Sequence, residues 1–189
     1  MNILYVDTTT SDIVVALIRK NDVVDVSQKA MGVKHSETLC NKVDELLKTA
    51  NIAFDDIDAY ACAIGPGSFT GIRIGISTVK GYATARPKPY IAVNCLEAIA
   101  HSANCKGNGC AVIDAGNGYY YYNVTSGTAP AVMPYDSDCV LNCAKADGAT
   151  DYFDGAVKLI RDKFNKGEFD VNLTPLYIRK SQAEINLKK

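Results

Sequence analysis

The chain has 189 residues, 48% of them hydrophobic, and a formal net charge of −1, enough for one sizeable core or two small lobes that share a cleft. Without a basic excess, autonomous nucleic-acid binding is not expected. The longest aliphatic run, Ile13 to Ile18, is too short to span a bilayer.

In chain order, Asn2 to Val6 reads as a short apolar strand rather than a charged leader, so no signal peptide is expected. Asp7 to Asp12 is a polar turn. Ile13 to Arg19 and Val23 to Ala30 are two further strands joined at Lys20-Asn21-Asp22. A helix follows, with Ser36 as its expected N-cap and Leu39, Cys40, Val43, Leu46, Leu47 and Ala50 on its apolar face. Ala59 to Ile64 is a strand and Gly71 to Ala85 a helix that Arg86-Pro87-Lys88-Pro89 ends. Tyr90 to Val93 is a strand, and Asn94 is expected to cap a short helix through Ala100. Past the loop at Asn104 to Asn108 come strands Cys110 to Ile113, Tyr119 to Thr125 and Ala131 to Met133. A helix is predicted over Ser137 to Ala146, a strand near Ala149 to Phe153, and a helix from Gly155 to Phe164. Seven cysteines without C-x-x-C spacing, beside only His35 and His101, are expected as free thiols of a cytoplasmic protein. His35 reads as part of a helix start and not as a metal ligand.

The stretch Ile64-Gly65-Pro66-Gly67-Ser68-Phe69-Thr70-Gly71-Ile72-Arg73-Ile74-Gly75 organises the rest. Ser68 or Thr70 can cap the helix that follows the turn. Ile72, Ile76, Val79 and Ala83 form one apolar stripe, while Gly71, Gly75, Thr78 and Tyr82, with Ile74 and Ala85, form a second face that is small and uncharged. Each interior glycine costs roughly 1 kcal/mol relative to alanine, so another backbone is expected close by, from this chain or another. The turn is no phosphate loop: no Lys follows the glycines, and Thr70 stands where G-x-G-x-x-G needs its third Gly.

The order βββαβα occurs twice, and Val6-Asp7 in the first copy lines up with Ile113-Asp114 in the second. The expected architecture is α/β, with duplicated βββαβα lobes of the actin-like (Hsp70-like, ribonuclease H-like) ATPase fold. Residues 1–103 form the first lobe and 104–189 a shortened second. In that fold phosphates lie between the two strand-Asp-turn hairpins and need glycine-rich turns. The first turn here has no glycine, so Asp7, Thr8 and Asp114 read as a vestigial nucleotide cleft.

On Ile3-Leu4-Tyr5-Val6-Asp7-Thr8-Thr9-Thr10, His35-Ser36-Glu37-Thr38-Leu39 and the Gly65–Gly75 stretch, the chain resembles the TsaB (YeaZ) family. Val93 to Ala98 and Pro175 to Arg179 resemble family segments too. The second half matches loosely, and Gly116 stands where such proteins often carry Arg. The resemblance implies a cytoplasmic, non-catalytic subunit in threonylcarbamoylation of adenosine 37 of tRNA. It implies pairing with a TsaD-like protein that carries the metal and does the transfer, joined by a TsaE-like ATPase. The chain would form a homodimer when alone, meet tRNA only through the complex and touch no membrane. It would need no cofactor or metal of its own, ATP and metal belonging to the partner subunits. The interface would comprise Phe69, Gly71, Arg73, Ile74, Gly75, Thr78 and Tyr82, flanked by Leu39 and Val43. The alternative is a small active ATPase or kinase of the same fold.

Overall fold

The computed structural model describes residues 1–26, 34–102, 109–124 and 129–179. The predicted end of the third strand at Ala30, the loop at Asn104 to Asn108 and the predicted strand end at Thr125 lie outside the described residues.

The first half runs β1 (Asn2–Asp7), β2 (Val14–Arg19), β3 (Val23–Asp25), α1 (His35–Ala50), β4 (Ala59–Gly65), α2 (Phe69–Ala85), β5 (Tyr90–Asn94) and α3 (Cys95–His101). Its sheet has the order β3-β2-β1-β4-β5, with β1 antiparallel to β2 and parallel to β4. Because side chains alternate along a strand, Leu4 and Val6 face α1 and α2. Ile3 and Tyr5 face the other way. The second half runs β6 (Cys110–Gly116), β7 (Tyr119–Val124), β8 (Ala131–Pro134), β9 (Ala144–Ala146) and α4 (Phe153–Lys166), with sheet order β8-β7-β6-β9. The expected boundary at 103/104 therefore falls between α3 and β6. It does not separate two cores. Ile3 and Tyr5 of β1, Ala111 and Ile113 of β6, and Leu96 and Ile160 of the helices between them belong to one buried cluster.

The second lobe departs from the predicted repeat. Ser137 to Ala146 is not a helix but a 3₁₀ turn, Asp138–Val140, followed by β9. Ala144 and Ala146 are buried while Lys145 is exposed, a period of two that sets a strand. Cys143 is disulfide-bonded to Cys110 of β6, which corrects the expectation of free thiols at these two positions. The predicted strand at Ala149 to Phe153 is a turn, because the Asp151 carboxylate accepts from the Asp147 and Gly148 amides at 3.0 and 3.1 Å. The duplication is thus βββαβαβα against a reduced βββ, turn, βα.

Capping follows the sequence at two of three helices. The Ser68 hydroxyl accepts from the Gly71 amide at 3.2 Å, and the Asn94 side-chain oxygen Oδ1 from the Leu96 amide at 3.0 Å. Helix α1 starts two residues earlier than Ser36 as cap requires, with Lys34 at the cap and no side-chain bond there. The Lys34 carbonyl oxygen already accepts from the Glu37 amide at 3.0 Å.

Candidate functional site

A cleft of about 610 Å³ opens between the β1–β2 turn, the start of α2, the β6–β7 turn and the extended segment after α4. Asp114 lines it, as do His35 and Arg179. Asp114 is exposed, and its Oδ1 accepts from the Gly116 amide at 2.7 Å and the Tyr135 hydroxyl at 2.6 Å. His35 Nε2 lies 3.2 Å from the Ser11 carbonyl oxygen.

Asp7 and Thr8 do not line this cleft, which corrects the reading of a vestigial site built on all three. The Asp7 side chain is fully buried. Its Oδ1 accepts from the Thr9 amide at 2.8 Å and the Thr9 hydroxyl at 2.7 Å, and its Oδ2 from the Tyr5 and Tyr152 hydroxyls at 3.0 and 2.9 Å. Burial raises its pKa, and these donors offset part of the rise. Burial also pushes the neighbouring Cys95 thiol up to about 12, with the Asp7 charge adding to the effect. The Thr8 hydroxyl donates to the Gly71 carbonyl oxygen at 2.7 Å. The rest of this turn is engaged with the second lobe: Thr10 Oγ1 accepts from the Ala149 amide at 3.0 Å, and Asp12 Oδ2 from the Thr150 amide and hydroxyl at 3.1 and 2.7 Å.

The expected docking face of α2 divides in two. Gly71 and Gly75 are buried against their own chain. A Cβ at Gly71 would overlap the Thr8 carbonyl oxygen, and one at Gly75 would stand 2.6 Å from Thr8 Oγ1. Leu39 and Val43 are likewise core residues, 1% and 0% exposed. These four are turned into the chain's own interior, and what the two glycines let α2 approach is Thr8, the residue that follows β1. Tyr82 is half-buried, its ring 4.9 Å from that of Phe54. On the outside, Thr70, Ile74, Ser77, Thr78, Gly81 and Ala85 form an uncharged strip of exposed and half-buried residues, bordered by Arg73, Lys80 and Thr84. A groove of about 510 Å³ runs along it between Ser36 of α1 and Arg73.

Arg73 sits at the end of this strip in a fixed pose. Its guanidinium lies 4.0 Å above the Phe69 ring, its Nε donates to the Tyr177 hydroxyl at 2.9 Å, and the Phe69 and Tyr177 rings stack at 4.6 Å. Such stacking and hydrogen bonding pre-orient an arginine. Tyr177 arrives from 104 residues away, and no spacing rule could have found it. Gly81 was visible as a helix glycine, but only the structure shows open space around it.

A family described as "TsaD: tRNA N6-adenosine threonylcarbamoyltransferase" matches residues 26–149. The tRNA threonylcarbamoyladenosine biosynthesis protein TsaB of Escherichia coli is 36% identical over 126 residues, 65% of this chain and 54% of that protein. The protein of the same name in Bacillus subtilis is 31% identical over 138 residues, 71% of this chain and 60% of its own length. The chain thus spans little more than half the length of these curated relatives. A crystal structure from Pseudomonas aeruginosa, titled as an uncharacterized protein with similarity to peptidase YEAZ, superposes with a TM-score of 0.72 at 24% identity. It covers 94% of this chain and 99% of its own, which establishes the shared actin-like fold. The chain belongs to the TsaD-like family, and within it stands with the TsaB (YeaZ) proteins.

Proposed function

We propose that this chain is a non-catalytic subunit of the machinery that places threonylcarbamoyl on adenosine 37 of tRNA, and that it docks a TsaD-like transferase through the outer strip of α2. The observation that carries this reading is the strip itself, with no charge among Thr70, Ile74, Ser77, Thr78, Gly81 and Ala85, grooved at Ile74 and Thr78, and flanked by Lys80 and a pre-oriented Arg73. Small residues let a second helix approach closely, and an oriented arginine beside apolar surface is a common interface anchor. In the absence of the transferase the same strip joins two copies of the chain. A TsaE-like ATPase completes the assembly, tRNA is met only through the complex, and the cytoplasm is where that substrate is found. ATP and metal act on the partner subunits. The burial of Asp7, whose two oxygens are occupied by hydroxyl and amide donors, supports a role without chemistry of its own.

Ile74→Glu combined with Gly81→Arg tests the reading. Mixed with the TsaD-like protein of the same cell, the wild-type chain should elute as a stoichiometric complex in light-scattering chromatography. The double variant should elute as a folded monomer with an unchanged melting temperature. A variant that still pairs counts against the strip. ATP turnover by the purified chain that disappears in Asp114→Ala would favour the small ATPase or kinase instead.

A further inference from the structure

The two sheets are covered unequally. On the first, α1 and α2 close the face that carries Leu4 and Val6. On the second, the face turned away from α3 and α4 carries Val112, Tyr120, Tyr122 and Met133. Among the described residues it is met by the segment around the 3₁₀ turn, through Val140 and Cys143. That segment buries Val112 but leaves Tyr120, Tyr122 and Met133 half-buried, with Tyr135 42% and Leu141 69% exposed. The Tyr120 and Tyr135 rings pair with centroids 4.5 Å apart. Carboxylates adjoin them, in space or along the chain. Asp114 accepts from the Tyr135 hydroxyl, Asp136 follows Tyr135 in the chain, Asp138 opens the 3₁₀ turn, and Asp147 follows β9; all four are exposed. One cation already uses this arrangement: the Lys145 ammonium lies 5.4 Å over the Tyr120 ring and 3.4 Å from Asp147.

We infer that this face docks an arginine-bearing segment of a partner protein. A ring face attracts a cation. A guanidinium can lie flat on it while its N–H fork meets a carboxylate through two parallel hydrogen bonds, whereas an ammonium such as that of Lys145 acts as a point charge. Among the described residues, three carboxylates remain beside the one that Lys145 holds, and they decide the class of occupant. An RNA strand would bring phosphates to the acidic rim, and a second copy of the chain would bring the same rim again. Both are repelled. The inference does not depend on the reading of α2.

The test is an NMR titration of the ¹⁵N-labelled full chain with a blocked Arg-Val-Arg-Val-Arg peptide. Saturable shifts are expected at the amides of Tyr120, Tyr122, Met133 and Tyr135. The Lys counterpart should bind several-fold more weakly, and the Glu counterpart and a decauridylate should leave the spectrum unchanged. Tyr120→Ala with Tyr135→Ala should weaken the Arg peptide about tenfold. Asp136→Asn with Asp138→Asn, on exposed side chains that leave the core intact, should weaken it about threefold, and Asp162→Asn on α4 should have no effect. Shifts scattered over the surface and equal in all variants would overturn the inference. So would decauridylate binding at these amides, or concentration-dependent shifts there without peptide, which would assign the face to a second copy.

Discussion

Asp7 illustrates how one carboxylate can change its occupation without changing its place in a fold. It ends β1 as a metal-holding acid would, yet it is fully buried and accepts four hydrogen bonds, one of them from Tyr152 in the second lobe. Burial raises its pKa above that in the unfolded chain. The folded state therefore binds the proton more tightly, so this group's contribution to stability is full below the unfolded pKa. It is lost as pH rises through the higher folded value. Asp7→Asn is nearly isosteric and never charged. Urea midpoints of the wild type and this variant, compared by circular dichroism from about pH 4 upward, should shift progressively in the variant's favour; parallel curves would contradict the assignment. The glycines of α2 provide a second test at this scale. Gly71→Ala drives a methyl into the Thr8 carbonyl oxygen and should cost about 3 kcal/mol. Gly81→Ala meets open space and should gain about 0.5–1 kcal/mol in helix propensity. Thermal melts of the two variants moving in the same direction would refute the division of that helix.

At the scale of elements, the first lobe was legible because its signals are local. The apolar run in Asn2–Asp7, a hydroxyl cap at Ser68 and the Pro-rich stop after Ala85 each depend on a few neighbouring residues. Gly71 and Gly75 do mark a close approach, but what approaches is Thr8, in the turn that follows β1. Periodicity identifies a face and not its neighbour. The second lobe misled for a related reason. Cys139 and Cys143 stand four apart, as on a helix, while the actual constraint is the bond from Cys143 to Cys110, 33 residues away. With the helix there reduced to one 3₁₀ turn, Tyr120 and Tyr122 keep half their cover. The exposed face argued above is thus a direct result of that reduction.

At the scale of the whole molecule, the segment after α4 binds the parts together. Asp170 accepts from the Ala92 amide through its carboxylate at 2.7 Å, the Leu176 amide donates to the Ile64 carbonyl oxygen at 2.8 Å, and Arg179 donates to the Ala115 carbonyl oxygen at 3.4 Å. Between them Leu173 is fully buried among the side chains that α1 and α2 press onto the first sheet. Leu173→Ala should cost about 2–5 kcal/mol, read as a lower urea midpoint. Hydrogen exchange should rise in α1 and α2 as well as in the segment itself, whereas an increase confined to residues 169–179 would mean that the strap is not part of that core. Leu173 carries a further consequence. A ribosome delivers the chain from its N-terminus, so α1, α2 and their sheet emerge long before the leucine that completes their packing. The first lobe must wait through the synthesis of the second with that slot open, and its most apolar seam is then within reach of chaperones and of neighbouring nascent chains.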